Sequence, residues 1–220
     1  MLNQIFNPEN LFFRGCAKLA DVVGLSVLWI FCCLPVITIG PATAALYYCV
    51  VKCLRRGEGD TYKNFFRCFR DNFRVGALST LACLPVVLFM SWAYVGLLDM
   101  ARAGDRVAVV LFVAFWVLCL VVMGIMLYLF PVLSRFTFGV GALIAAAGKL
   151  ALRHLPSTVV VVLLNLQIAL ACVRYWFPVV FLPALGALLS SLFLERIFKK
   201  YTPAAPGAEE DGAEKPWYLK

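Results

Sequence analysis

The chain has 220 residues, 63% of them apolar and 15% charged, with a formal net charge of +8 and a mean hydropathy of +0.90. A soluble domain of this length needs a charged exterior, with roughly a quarter of its residues Asp, Glu, Lys or Arg. The composition therefore excludes an ordinary soluble domain and predicts an all-α, polytopic membrane protein.

In chain order, the N-terminal segment carries NPEN, in which Asn7 can cap a helix and Pro8 suits its first position. A short amphipathic helix is expected there at the cytosolic interface. A cleavable signal peptide is not expected, because Glu9 and Asn10 precede an apolar stretch that runs on without a small-residue cleavage site.

Residues 22–51 form a run too long for one upright span, since 30 residues at about 1.5 Å each give roughly 45 Å. The run contains LPVITIGPA. Pro35 and Pro41 remove backbone donors and Gly40 permits a sharp turn, so a hairpin is expected with its bend at Pro35, Thr38 and Gly40 and its second helix starting at Pro41. The expected spans are 18–34 and 41–54, the second short enough to thin the bilayer or enter at a shallow depth. Further spans follow at 76–98, 107–133, 156–173 and 178–195. Six crossings are expected, with five as the fallback.

Lys and Arg distribution sets the orientation. With six crossings, 17 of the 20 Lys and Arg residues fall on one side, leaving Arg102, Arg106 and Arg174 on the other. One crossing through residues 22–51 would give 15 against 5. The expectation is a multi-pass protein of the bacterial cytoplasmic membrane, both termini cytosolic, with residues 1–201 as a single membrane domain. Residues 136–148 are too short to span, a length that suits an interfacial or buried connector, and are placed on the cytosolic side, along the membrane. The Pro/Gly/Ala-rich acidic tail at 202–220 is expected to be disordered.

Between the second and third spans lies DTYKNFFRCFRDNFR, residues 60–74. On a helix at 61–74, Tyr62, Phe65, Phe66, Phe69 and Phe73 converge on one stripe about 100° wide, flanked by Lys63, Arg67, Arg70 and Arg74. Asp60 or Thr61 can cap its start. Aromatics beside cations suit the cytosolic headgroup boundary, with anionic lipid as a partner; the same face could dock a protein.

The nine cysteines offer no completed metal site, and small-residue packing accounts for them. His154 has no carboxylate nearby in sequence. The span interiors hold no ionisable group, Asp21 and Glu195 being placed at cytosolic ends, which argues against a proton-coupled carrier. Among the uncharged polar residues, Asn165 and Gln167 lie about 200° apart on one helix, where an interhelical hydrogen bond or a polar solute site is open to them. Pro85, Pro131 and Pro183 should kink or end their helices. No catalytic or cofactor motif is found, neither an enzyme nor a nucleic-acid partner is expected, and no cofactor or metal is assigned. The chain lacks a nucleotide-binding loop of its own.

The order NPEN-LFF, KLADVVGLSVLW, CCLPVITIGPATAALYY and KNFFRCFRDNFR resembles the YesL-like family of integral membrane proteins, domain of unknown function 624, chiefly over residues 6–75. Where that family commonly has Asn, this chain has Ser26. The resemblance implies a bacterial inner-membrane protein often encoded beside carbohydrate uptake systems. The expected function is thus a non-enzymatic accessory or regulatory subunit of a carbohydrate ABC importer, whose subunits would be its partners. The alternative is an autonomous transporter of an uncharged small solute.

Overall fold

The computed structural model describes residues 11–103, 106–136, 138–175 and 177–201, and within these it is helical throughout, with no strand. The elements are α1 (Leu11–Cys32), a 3-10 turn (Val36–Thr38), α2 (Ile39–Cys49) running on as a π-helix (Val50–Arg55), α3 (Thr61–Asp71), α4 (Phe73–Arg102), α5 (Arg106–Leu133), α6 (Val140–Arg153), α7 (Leu155–Arg174), a second 3-10 turn (Phe177–Val180) and α8 (Leu182–Tyr201). The expected Asn7 cap and the acidic tail lie outside the described residues. Among the described residues four segments are long and apolar enough to cross a membrane: Val36–Arg55, α4, α5 and α7. This supports a multi-pass membrane protein.

Several expected boundaries move. From Leu11 onward no separate interfacial helix precedes the first span, because α1 is continuous to Cys32. The aromatic-basic helix stops at Asp71, and Phe73 and Arg74 open α4 instead. Pro85 and Pro131 sit inside continuous helices and end neither. Residues 136–148, expected to lie along the membrane, largely form α6, whose Leu143, Ala147 and Ala151 are buried against Leu129, Val132 and Leu133 of α5.

The bend of the α1–α2 hairpin is present. Thr38 closes it, its single hydroxyl proton shared between the Cys32 carbonyl at 2.5 Å and the Pro35 carbonyl at 2.6 Å. Gly40, however, is not the turning residue. It lies in the first turn of α2, and positive φ among the described residues occurs only at Gly57 and Gly59, in the turn before α3. Gly40 is required for proximity: a Cβ there would stand 2.5 Å from the Gly76 carbonyl and 2.7 Å from the Phe130 ring. Gly76 is in the same position, its own Cβ meeting the Pro41 nitrogen at 2.8 Å. Small residues let helix backbones approach closely, and here they cross α2 over α4.

That crossing places the hairpin tip beside the first turns of α4. From Thr80 to Arg102, α4 runs on for about 33 Å at ~1.5 Å per residue. Over that outer length α4 and α5 contact chiefly each other, through Tyr94 against Phe112, Phe115 and Trp116. Many of their other large apolar side chains, among them Leu88, Phe89, Trp92, Val110, Val113 and Val117, are exposed, as lipid-facing surfaces are. By contrast α2 is the most enclosed helix, with Ala42, Ala44, Ala45, Cys49, Val50 and Val51 inaccessible.

Ser26 shows what a short polar side chain does inside this bundle. Fully buried on α1, its hydroxyl accepts a hydrogen bond from the Ala184 amide at 3.1 Å. That amide lies in the first turn of α8, where backbone donors lack an intrahelical acceptor. Pro183 beside it has no donor to satisfy.

Candidate functional site

Residues 61–74 separate into three rows, each at spacing i, i+4, i+7, i+11, that run from α3 across Asn72 into the first turn of α4. Thr61, Phe65, Cys68 and Asn72 face the protein; Tyr62, Phe66, Phe69 and Phe73 form the next row; Lys63, Arg67, Arg70 and Arg74 form the third, all exposed. Phe65 is 0% exposed, packed with Val22, Leu25, Leu46 and Val50, so it must be removed from the expected contact surface: the single aromatic stripe is split by burial. Phe69 is half-buried between Phe65 and Phe73, with ring centroids at 6.3 and 5.6 Å. Phe66 remains 55% exposed, with Tyr62 and Phe73 also outside.

The helix is fixed to the hairpin by its first row. The Cys49 thiol donates to the Thr61 carbonyl at 3.4 Å, and the Asn64 amide reaches Cys53 Sγ at 3.4 Å. Asp60 occupies the capping position but makes no side-chain cap bond; its carboxylate pairs instead with Lys63 at 3.1 Å. The Tyr62 hydroxyl lies over Gly24 of α1, in space that any side chain at position 24 would take. Burial pushes the Cys68 thiol up to about 12. Nearly all of it is the unreactive thiol at neutral pH, so it is a poor reporter of which side of the membrane α3 occupies.

A second feature escaped the sequence reading. Glu195, placed there at a cytosolic helix end beside Arg196, is buried in the bundle and paired with Arg135, Nη1 to Oε2 at 2.9 Å, the two side chains being 3% and 1% exposed. Tyr47 donates its hydroxyl to the other carboxylate oxygen at 3.3 Å. The Arg135 guanidinium lies 5.5 Å from the centre of the Phe198 ring, and Arg55 donates to the Ser191 carbonyl at 3.3 Å. The ends of α2, α5 and α8 thus meet at one end of the bundle. His154, between α6 and α7, joins them through Tyr201 at 3.2 Å.

Asn165 and Gln167 do point apart. Asn165 donates to Ser190 Oγ at 2.9 Å and to the Val161 carbonyl at 2.8 Å, which is the expected interhelical bond. Gln167 is on the outer face. Asn165 and Ser190 also line a half-open cavity of about 550 Å3 together with Trp29, Thr43, Tyr47, Phe130 and Ile168, with a predominantly apolar wall. Of its polar groups, the Trp29 indole donates to Thr43 at 3.2 Å, and Tyr47 is engaged by Glu195. All nine cysteines are free thiols. Among the described residues no cluster of three His, Cys, Asp or Glu could hold a metal.

Residues 22–97 match the model of a family described as Protein of unknown function, DUF624, in agreement with the likeness carried by LPVITIGPA and the helix after it. The matched stretch holds the second half of α1, the hairpin bend, α2, α3 and the greater part of α4. No curated protein and no solved structure matches the chain.

Proposed function

We propose that this chain, a DUF624 protein over residues 22–97, is a non-enzymatic accessory or regulatory membrane subunit of a carbohydrate ABC uptake system. It would meet its partner through α3. One observation carries this reading: a short helix locked to the hairpin by one stripe while presenting an exposed aromatic row and an exposed cationic row. Phe66, Tyr62 and Phe73 supply apolar contact area, and Lys63, Arg67, Arg70 and Arg74 match an acidic partner or anionic lipid of the cytosolic leaflet. The neighbouring carbohydrate system is what the family resemblance implies.

In the proposed topology the end of the bundle that gathers Arg55, Arg135 and the α8 terminus faces the cytosol, in line with the positive-inside rule. The α1–α2 hairpin, whose tip stops beside the first turns of α4, is then re-entrant and contributes no crossing, which leaves α4, α5, α7 and α8 as the crossings and keeps both termini on the cytosolic side. With native cysteines replaced, a single cysteine at Arg67 should react with an impermeant thiol reagent only after the inner membrane is opened. One at Thr38 should be protected from both sides. Labelling of Thr38→Cys in intact cells would restore the six-crossing count.

The functional test compares two variants after gentle solubilisation from cells growing on the imported sugar. Tyr62→Ala with Phe66→Ala should abolish co-purification of importer subunits, whereas replacing the four cations by Gln should retain part of it. Each lost aromatic contact is worth about 1.5–3 kcal/mol when fully buried by a partner, against about 1 kcal/mol per cation near anionic lipid. Importer absent from the wild-type sample would sink the proposal.

The cavity at Asn165 favours the second reading, an autonomous transporter of an uncharged solute. Its walls are nearly all apolar and the Asn165 donor is already used, which suits an apolar occupant better than a sugar. Unchanged flux of small uncharged apolar solutes into vesicles carrying the Asn165→Leu protein would remove that reading.

A further inference from the structure

At the same end of the bundle, α6 carries Lys149 and Arg153 one turn apart, both exposed, on one side of a pocket of about 260 Å3. Phe136, Phe138, Ala146 and Leu150 form its apolar wall, and Tyr201 of α8 closes it. Phe136 is held by stacking on Phe138 and by an edge contact with buried Phe198. The Arg153 guanidinium stands 5.7 Å from the centre of the Tyr201 ring.

The charge around this pocket is one-sided. Residues 134–153 and 196–201 contain no Asp or Glu, and Glu195 is committed to Arg135. Two cations at i and i+4 stand about 5–6 Å apart at their Cβ atoms, close enough to share one phosphate. An apolar recess beneath a cationic rim is complementary to a molecule with an anionic head and a hydrocarbon tail, and basic pockets between helices on the cytosolic side take such headgroups.

We propose that this pocket binds one anionic phospholipid, its phosphate between Lys149 and Arg153 and the start of one acyl chain against Phe136, Phe138 and Leu150. The proposal is independent of the α3 surface, since it concerns different residues on different helices.

The test uses the full chain reconstituted with phosphatidylcholine and a minor fraction of phosphatidylglycerol, released into mild detergent and examined by native mass spectrometry. Wild type should retain one phosphatidylglycerol in preference to phosphatidylcholine. Lys149→Gln with Arg153→Gln should weaken retention by about fivefold for each cation removed, while the exchange Lys149→Arg with Arg153→Lys should keep it. Lys199→Gln with Lys200→Gln should leave retention unchanged. Retention unaffected by loss of the two cations, or equal retention of phosphatidylcholine, overturns the proposal. So does a wild type that retains no lipid while a chain ending at Tyr201 does, since the acidic segment beyond Tyr201 would then be the occupant.

Discussion

Glu195→Ala should be the most damaging single substitution in the described chain, lowering the unfolding free energy in a detergent-denaturant titration by about 3–5 kcal/mol. The carboxylate is 3% exposed and the Arg135 side chain 1%, so its removal leaves a guanidinium buried with its anion gone. The Tyr47 hydroxyl loses its acceptor as well. Replacing both Glu195 and Arg135 by Leu should recover most of that loss, because an apolar pair of similar volume often matches or exceeds a buried ion pair. Had the loss come from helix α8 itself, the double substitution would be as unstable as the single one.

The close crossing of α2 and α4 gives the second large effect. Gly76→Ala places a methyl group 2.8 Å from the Pro41 nitrogen and 3.0 Å from its Cα. Neither is a side-chain end that can swing away, so the helices must separate, at about 1–3 kcal/mol. Gly40→Ala meets the Gly76 carbonyl at 2.5 Å and should cost a similar amount. Since both act by prising apart one crossing, the double variant should cost less than the sum. Gly96→Ala, further along α4 where a Cβ meets nothing within 4 Å, should be neutral or stabilising by up to about 1 kcal/mol. The same titration distinguishes all four proteins.

How far each of these features could be read from the sequence follows from their range. The spans at 107–133 and 156–173 are continuous apolar runs, and α5 and α7 begin and end within one residue of them. The hairpin was legible because proline acts locally. Gly40 was misassigned because the backbone of Gly76, 36 residues away, is what excludes a side chain there, and no local pattern carries that. The burial of Glu195, placed by its sequence at a cytosolic helix end, was not legible because its neighbour Arg196 cannot face it at i, i+1, and its partner is 60 residues earlier. A single acid inside LLSSLFLERIF was the available signal.

For α3, periodicity gave a 100° aromatic stripe correctly but could not tell its buried edge from its open one. Phe65 and Phe66 are adjacent and chemically identical, yet one is enclosed and the other 55% exposed. Only the position of α1 and α2 decides between them.

Docking of the importer through α3 would rest most directly on Phe66. A photo-crosslinking amino acid placed there in the full-length protein, activated in cells that are importing the relevant sugar, should join the chain to a subunit of the importer, while the same group at Gln167 on the outer face of α7 should not. Adducts with lipid alone from position 66, with the importer present and active, would contradict the account and leave α3 as a membrane anchor.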